Sequence, residues 1–298
     1  MILQKSITQC RFLTLVLSLI LIGCQKETVA PSPSTAPSGP INPSQPAFTE
    51  HLTLGNPSGA TTDPAQFNNY LFSKTQYALS YHRDRGIPNW TSWHLSSSWI
   101  GSAPRQDDFR ADATLPAGWY QVQSTSYTGS GFDRGHNCPS ADRTSTAADN
   151  SATFFMTNMM PQAPRNNQQT WANLEDYCRT FLNAGSELYI ICGSYGRGGT
   201  GSNGYATTLD QGRVTVPTRC WKVVVILPTG TDDANRITAA TRVIAMDTPN
   251  DNSISTTWGS YRTSVDAIEA ATGLDLLSAV PTAIQQTIEA RTDNGPTS

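Results

Sequence analysis

The chain has 298 residues, of which 38% are hydrophobic and only 14% are charged. This length and apolar content suit one large domain or two small ones with a packed core. The formal net charge is −3, which excludes a basic field over the whole molecule as the means of attracting a polyanion. A local group of arginines can still bind a phosphate in an acidic protein.

The N-terminus has the pattern of an export signal. Lys5 and Arg11 give a positive start, the apolar segment 12–22 follows, and the sequence LIGC that ends at Cys24 resembles the lipobox of bacterial lipoproteins. This resemblance predicts a signal peptide over 1–23, a lipid on Cys24, and an extracytoplasmic protein anchored to a membrane of the cell envelope. An ordinary secretory signal or an uncleaved anchor is the alternative.

A segment rich in proline and serine follows the signal. Proline at this density prevents helix and sheet, so residues 24–48 are predicted to be an extended tether. The globular domain is predicted over 49–292, and a short tail over 293–298.

Within the domain, β-branched and apolar runs bounded by glycine and proline predict strands at 153–160, 187–192, 214–227 and 240–246. A helix is predicted from about Gln168 to Ala184, with Gly185 at its C-terminus. Apolar side chains recur there at spacings of three and four: Trp171, Leu174, Cys178 and Leu182. Two more helices are predicted near 262–271 and 282–290. Strands around a few helices, without βαβ alternation, predict an α+β fold.

Four cysteines lie in the predicted domain, namely Cys138, Cys178, Cys192 and Cys220. In an oxidising compartment they predict two disulfides, and the sequence permits three pairings. We favour Cys138–Cys178 with Cys192–Cys220, because the last two cysteines lie in neighbouring predicted strands. No pair has CxxC spacing, which argues against a zinc site.

One glycine-rich segment resembles a nucleotide-binding motif. The sequence GTGSNG at 199–204 matches GxGxxG, but a strand at Val214 follows it rather than a helix. It is therefore predicted to be a flexible loop and not a dinucleotide site.

The segment 132–179 carries side chains suited to phosphodiester cleavage. Hydrolysis needs a base that titrates near neutral pH, cations around the phosphorus and a divalent metal at the leaving oxygen. His136 supplies an imidazole, and Glu175 and Arg179 share one face of the predicted helix. Asn167 lies near the start of that helix, and amide and carboxylate oxygens suit Mg²⁺.

Each of these side chains also has a purely structural interpretation. A histidine in a loop can pack, Asn167 can cap a helix, and Glu175 with Arg179 can form a solvated ion pair. Their joint occurrence, with Glu175 eight residues after Asn167 and Arg179 four further on, favours catalysis. The other histidines lack such a setting and are predicted to be structural: His51, His82 and His94.

Taken in order, DRGH at 133–136, TNMMPQ at 157–162 and NQQTWANLE at 167–175 closely resemble the DNA/RNA non-specific endonucleases. These are the ββα-metal enzymes that include the Serratia-type secreted nuclease and mitochondrial endonuclease G. The resemblance covers most of residues 51–290. It implies an α+β fold with a ββα-metal core and a central antiparallel sheet flanked by helices.

The resemblance implies a role for each matched position. His136 would be the general base, Asn167 the direct metal ligand, and Glu175 would hold metal-bound water. Arg105 and Arg179 would neutralise the scissile phosphate and support the departing oxygen.

Three further positions would support the site. Arg134 would contact phosphate or brace the motif, Asp133 would be mainly structural, and Asn158 matches a family asparagine near the site. Arg110 lies close to Arg105 in the sequence and is the alternative match.

The resemblance implies a metal-dependent endonuclease that cuts single- and double-stranded DNA and RNA to oligonucleotides with 5′-phosphates. Mg²⁺ is the expected cofactor, with Mn²⁺ or another divalent ion as alternatives. The competing hypotheses are a nucleic-acid-binding surface lipoprotein with little or no turnover, and a narrower phosphodiesterase acting on small nucleotides.

Overall fold

The computed structural model describes residues Glu50–Ser298. This part of the chain contains thirteen strands: β1 (Tyr70–Ser73), β2 (Ala78–His82), β3 (Ile87–Leu95), β4 (Asp133–His136), β5 (Met159–Gln162), β6 (Ser186–Tyr195), β7 (Gly199–Gly201), β8 (Gly204–Ala206), β9 (Thr208–Leu209), β10 (Val214–Thr215), β11 (Arg219–Pro228), β12 (Arg242–Pro249) and β13 (Arg262–Thr263). Its α-helices are α1 (Ala147–Ala152), α2 (Ala172–Thr180), α3 (Asp233–Arg236), α4 (Val265–Thr272) and α5 (Thr282–Ile288).

Seven of these strands form one antiparallel sheet in the order β1-β2-β3-β6-β11-β12-β13. At its centre β6 pairs with β11 along their full length, from Ser186 opposite Pro228 to Tyr195 opposite Arg219. The predicted α+β class with a central antiparallel sheet is confirmed.

Side chains along β11 alternate between the two faces of the sheet, as the pleat requires. Cys220 and Val224 lie in a core with Trp93, which we call the front face. Trp221 and Val223 lie in a second core, on the back face. The front face is covered by α2, and the back face by α4 and α5.

The predicted ββα unit lies on the front face. Here β4 pairs antiparallel with β5, with Asp133 opposite Gln162 and His136 opposite Met159. The chain then enters a π-helical turn (Asn166–Trp171) that continues as α2. The unit therefore joins the DRGH strand directly to the helix that carries the other candidate residues.

The prediction for this helix is confirmed. Helical structure runs from the π-helical turn through α2 to a 3-10 segment (Phe181–Ala184). It ends at Gly185, whose φ of 75° is the left-handed conformation that glycine adopts easily at a helix C-terminus. π-helical turns are rare in proteins, and those that do occur are often found at functional sites.

The strand predicted over 153–160 is wrong for all but its last two residues, because β5 begins only at Met159. The residues before β5 form turns, in which the Asn158 carbonyl accepts a hydrogen bond from the backbone of Asn137. The strand predicted over 214–227 is divided into β10 and β11 around Pro217, which has no N–H to donate.

The glycine-rich segment is a hairpin rather than a flexible loop, because β7 and β8 pair antiparallel with Gly201 opposite Gly204. No helix follows it, so the rejection of a dinucleotide motif stands.

The prediction of two disulfides is wrong, because all four cysteines of the described residues are free and buried. Cys192 lies opposite Lys222 on β11, and Cys220 lies opposite Ser194 on β6. The two thiols are thus diagonal neighbours across the strands rather than a directly opposed pair. Burial raises the pKa of Cys138 to about 12, which keeps that thiol protonated.

Both ends of the chain bear on the predicted domain organisation. The signal, Cys24 and the tether over 24–48 lie outside the described residues. Asp293, at the start of the predicted tail, is buried and accepts hydrogen bonds from Arg242 and Arg262. Between Glu50 and Ser298, every helix is too short or too polar to cross a membrane.

Candidate active site

A polar cleft of about 370 Å³ opens beside β4 and the start of the π-helical turn. It brings together residues far apart in the sequence: Arg105, Asp107, Phe109, Ser124, Tyr127, Thr128, Phe132, Asp133, Arg134, Asn167 and Gln168. Four of the predicted site residues are therefore in one place, namely Arg105, Asp133, Arg134 and Asn167.

His136 borders this cleft through Phe109. The imidazole meets Phe109 and Phe154 edge to face, with ring centroids 5.5 and 4.9 Å away. Its Nε2 is buried and has no hydrogen-bond partner within the described residues. Because an unpaired buried polar atom is costly, this nitrogen is suited to receive a water or a substrate group.

Two arginines act on the His136 imidazole. The Arg105 guanidinium lies 4.8 Å from the Phe154 ring centroid, and that of Arg134 lies 4.0 Å from the Phe109 centroid. Burial, followed by the charges of Arg105 and Arg134, lowers the pKa of His136 to about 3. The ring is therefore neutral near pH 7 and can accept a proton. A phosphate bound between the arginines would offset their charge and raise that pKa in the complex.

Arg105, and not Arg110, is the arginine of the cleft. Its Nε donates to Asp107 at 2.6 Å and its Nη1 to Ser140 Oγ at 2.8 Å. Arg110 instead donates to Asp108 and to the carbonyl of Ser151. Asp107 has a φ of 51°, a conformation that is uncommon for residues other than glycine, and nothing in the sequence pattern singled it out.

Asp133 orients Asn167. The Asn167 Nδ2 donates to Asp133 Oδ2 at 2.8 Å, and Gln168 donates to the same oxygen at 2.9 Å. Among the described residues nothing donates to Asn167 Oδ1, which leaves a carbonyl oxygen on a residue that lines the cleft. Amide, carboxylate and water oxygens are the ligands that Mg²⁺ prefers, so these side chains fit a hard divalent ion.

Asn158 supports the turn after His136 and does not line the cleft. Its Nδ2 donates to the carbonyls of Cys138 and Thr153, both at 2.9 Å, and its Oδ1 accepts from the Cys138 N–H at 3.0 Å. These bonds satisfy the amide and fix the path of the chain beside His136.

Glu175 and Arg179 do not line the cleft. They belong to a group that we call the buried ionic cluster, in which Lys222 and Asp142 are buried and Glu175 and Arg179 are partly buried. Lys222 Nζ donates to Glu175 Oε1 at 2.7 Å, and Arg179 Nη1 donates to Asp142 Oδ1 at 2.7 Å. Glu175 and Arg179 therefore each have another partner, and they do not form the solvated pair that was the structural alternative.

Lys222 was missed in the sequence although a signal was present. It is fully buried, with Nζ 4.1 Å from the Trp171 ring centroid and 5.6 Å from that of Trp93. A lone lysine in the apolar run CWKVVV requires a buried anionic partner. Burial alone would lower the pKa of Lys222, but the Glu175 carboxylate outweighs this and raises it.

The comparisons with known proteins agree with this geometry. Residues 54–283 match the family described as DNA/RNA non-specific endonuclease. The chain is 49% identical over 275 residues to a nuclease of Nostoc sp. (strain PCC 7120 / SAG 25.82 / UTEX 2576), covering 92% of this chain and 95% of that protein. It is 31% identical over 167 residues to human mitochondrial endonuclease G, covering 54% and 56% of the two chains.

A solved structure supports the fold. The crystal structure of the EndoG/EndoGI complex contains a chain that aligns with a TM-score of 0.65 at 22% identity. The alignment covers 84% of this chain and 99% of that one. Fold, cleft and family match together define a nuclease, a hydrolase of phosphodiester bonds in nucleic acids. The chain belongs to the DNA/RNA non-specific endonuclease family, whose members are metal-dependent ββα-metal nucleases.

The buried ionic cluster generates a prediction on stability. Lys222→Met should lower the free energy of unfolding by about 3–5 kcal/mol, because the Glu175 carboxylate is left buried without its cation. The double variant Lys222→Met/Glu175→Gln should lose clearly less, since no charge is stranded. Urea denaturation measures both free energies, and equal losses in the two variants would contradict the pairing.

The His136 environment generates a prediction on pH. In the metal-free protein His136 should stay neutral until the pH nears its pKa of about 3, far below the ordinary value of about 6.5. Because the unfolded chain binds this proton first, the associated stability is present above about pH 6.5 and is lost as the pH falls. NMR titration, with the ring assigned by its absence in His136→Gln, measures the pKa. Arg105→Gln should raise it, and a midpoint near 6.5 in the unsubstituted protein would contradict the account.

Proposed function

We propose that the protein hydrolyses DNA and RNA internally, with His136 as the general base and a divalent ion held by Asn167. The observation that carries the proposal is the convergence of Arg105, Arg134 and Asn167 on one polar cleft beside the unpaired Nε2 of a neutral His136. The family match supports nucleic acid as the substrate class.

His136 would begin the reaction by accepting a proton from the attacking water at Nε2. The aromatic rings around it exclude bulk water and hold the imidazole in one orientation. Arg105 and Arg134 would already stand beside the phosphate, where negative charge accumulates in the transition state. Charges fixed in advance stabilise that state without reorganisation, which makes this the largest expected contribution to the rate.

Asn167 Oδ1 would hold the ion, for which Mg²⁺ is the best match and Mn²⁺ an alternative. A bound ion of this kind stabilises negative charge on the departing oxygen. Asp133 fixes the amide so that its NH₂ faces the carboxylate and its oxygen stays free. If the 3′-oxygen departs, the products carry 5′-phosphates.

Glu175 and Arg179 would act from the buried ionic cluster. Lys222 occupies Glu175 Oε1, and the other carboxylate oxygen would orient water around the ion. Arg179, restrained by Asp142 and Asp176, would support the charge on the departing oxygen. Because the whole set is retained, a surface lipoprotein that only binds nucleic acid is the weaker hypothesis.

His136→Ala should abolish cleavage of plasmid DNA and of total RNA, lowering the turnover rate by at least about 10²–10⁴-fold because the base is lost. Agarose and acrylamide gels follow the digestion, and circular dichroism checks the fold. His82→Ala is the matched control, since His82 lies outside the cleft, and it should retain activity. Full activity in His136→Ala would remove this residue as the base.

Asn167→Ala should raise the Mg²⁺ concentration that gives half-maximal activity by at least about tenfold, because outer-shell changes alone cost that much metal affinity. The measurement is initial rate against Mg²⁺ concentration. Asn173→Ala is the control, because Asn173 donates to the carbonyl of Thr256 away from the cleft. An unchanged metal titration in Asn167→Ala would count against its role as ligand.

We also propose that the mature protein is lipid-anchored through Cys24 on the extracytoplasmic side of a cell-envelope membrane. The support is the LIGC sequence after a charged and apolar start. Radiolabelled palmitate fed to expressing cells should label the protein, and Cys24→Ala should lose the label and the membrane association. Equal labelling of both proteins would contradict the anchor.

A further inference from the structure

A group of carboxylates lies on the back face, far in the fold from β4. Asp266 and Glu269 are on α4, and Glu289 follows α5 directly. One carboxylate oxygen from each lies within 4.8 Å of the other two. We call Asp266, Glu269 and Glu289 the C-terminal carboxylate cluster.

Within Glu50–Ser298 no lysine or arginine forms an ion pair with this cluster. The nearest arginine in the sequence, Arg291, donates instead to the carbonyls of Ala239 and Thr241, at 3.0 and 2.6 Å. A second group that contains Glu187 and Asp233 differs in this respect, because Arg236 donates to both carboxylates.

Glu289 is the member that points to a ligand. The residue is only 7% exposed. Its Oε1 is buried and has no hydrogen-bond partner in the described part of the chain. Burial, followed by the charges of Glu269, Asp266 and Asp275, raises the pKa of Glu289 to about 7. An ionised carboxylate that is buried and unpaired beside two others is costly, and either a proton or a cation can neutralise it.

The backbone already holds the three carboxylates in register. The Asp266 N–H donates to the carbonyl of Glu289 at 3.1 Å, which joins α4 to the end of α5. Glu269 Oε1 accepts from the N–H of Leu276 at 2.7 Å, which fixes that side chain. These contacts fix the backbone of Asp266 beside that of Glu289 and hold the Glu269 side chain, so the three residues stay together where a cation would bind.

We propose that Asp266, Glu269 and Glu289 bind a Ca²⁺ ion, at a second metal site distinct from the cleft. Ca²⁺ takes oxygen ligands at about 2.3–2.6 Å in flexible geometry. Two oxygens on opposite sides of such an ion are about 5 Å apart, so three oxygens within 4.8 Å of one another can share its coordination shell. Mg²⁺ demands near-ideal octahedral geometry and gives up its water reluctantly, which favours Ca²⁺ for a site built from three carboxylates. Water completes the coordination.

The ion would tie α4 to the end of α5, and both helices pack on the back face of the sheet. Val265 and Ile268 of α4 and Ile288 of α5 pack in the back-face core with Trp221. Binding across the two helices therefore stabilises that core without touching the cleft on the front face.

Thermal unfolding of the full-length protein tests the site. Mg²⁺ is kept saturating so that the cleft is filled, and Ca²⁺ is added. The Tm should rise by about 5–10 °C when free Ca²⁺ reaches a hundred times its Kd. Isothermal titration calorimetry under the same conditions should detect one Ca²⁺ per chain.

Glu289→Gln and Glu269→Gln should each abolish this response. Without Ca²⁺, Glu289→Gln should melt at the same temperature as the unsubstituted protein or higher, because a buried repulsive charge is removed. Asn167→Ala is the control, and it should keep the full Ca²⁺ response.

Two results would overturn the proposal. One is a Tm that does not respond to Ca²⁺ in the unsubstituted protein. The other is a response that Glu289→Gln keeps in full, including the case in which only Asn167→Ala loses it, because the ion then binds in the cleft.

Discussion

The hydrogen bond between Asp133 and Asn167 connects the two halves of the site, and the other candidate roles depend on it. Asp133 begins β4, the strand that ends at His136, while Asn167 lies in the π-helical turn before α2. One 2.8 Å contact therefore fixes the distance between the strand that carries the proposed base and the π-helical turn that carries the proposed metal ligand. It also turns the amide so that its oxygen is free. The same strand also positions Arg134, because this residue lies between Asp133 and His136 in the sequence.

Near this contact, the buried charges of Lys222 and Asp142 are balanced by partners on α2. Lys222 extends from the central strand β11 through the front-face core and meets Glu175 on α2. Arg179 and Asp142 form the neighbouring pair, and Asp142 also accepts a hydrogen bond from Trp93. Because breaking one partner strands a buried charge, this cluster holds α2 in one position on the sheet. The back face has carboxylates without such cations, and there a proton or the proposed Ca²⁺ ion balances the charge.

The sequence predicted which residues come together at the cleft better than it predicted the sheet. Local spacing in the sequence pointed to His136, to Asn167 and to the helix ending at Gly185. Such spacing is informative because residues close together in the sequence keep their relative positions within a strand or helix. Strands β1, β2 and β3 were missed because their buried positions include polar side chains such as Ser80 and Thr91, so apolar periodicity is weak. The disulfide prediction assumed that cysteines in neighbouring strands lie opposite each other. The register of the two strands decides whether they do, and it places Cys192 opposite Lys222. Contacts between distant segments, such as Lys222 with Glu175, are set by tertiary packing and have no local pattern.

The central claim is that a neutral imidazole at position 136 removes the proton from water beside an ion held at position 167. The most direct test adds free imidazole to two variants that leave a cavity in place of the side chain, His136→Gly and Asn167→Gly. The rate of plasmid cleavage in Mg²⁺ is then measured for each. The account predicts that imidazole restores cleavage, in proportion to its neutral form, to His136→Gly and gives nothing to Asn167→Gly. Restoration of neither variant, or of both equally, would contradict a base role for His136.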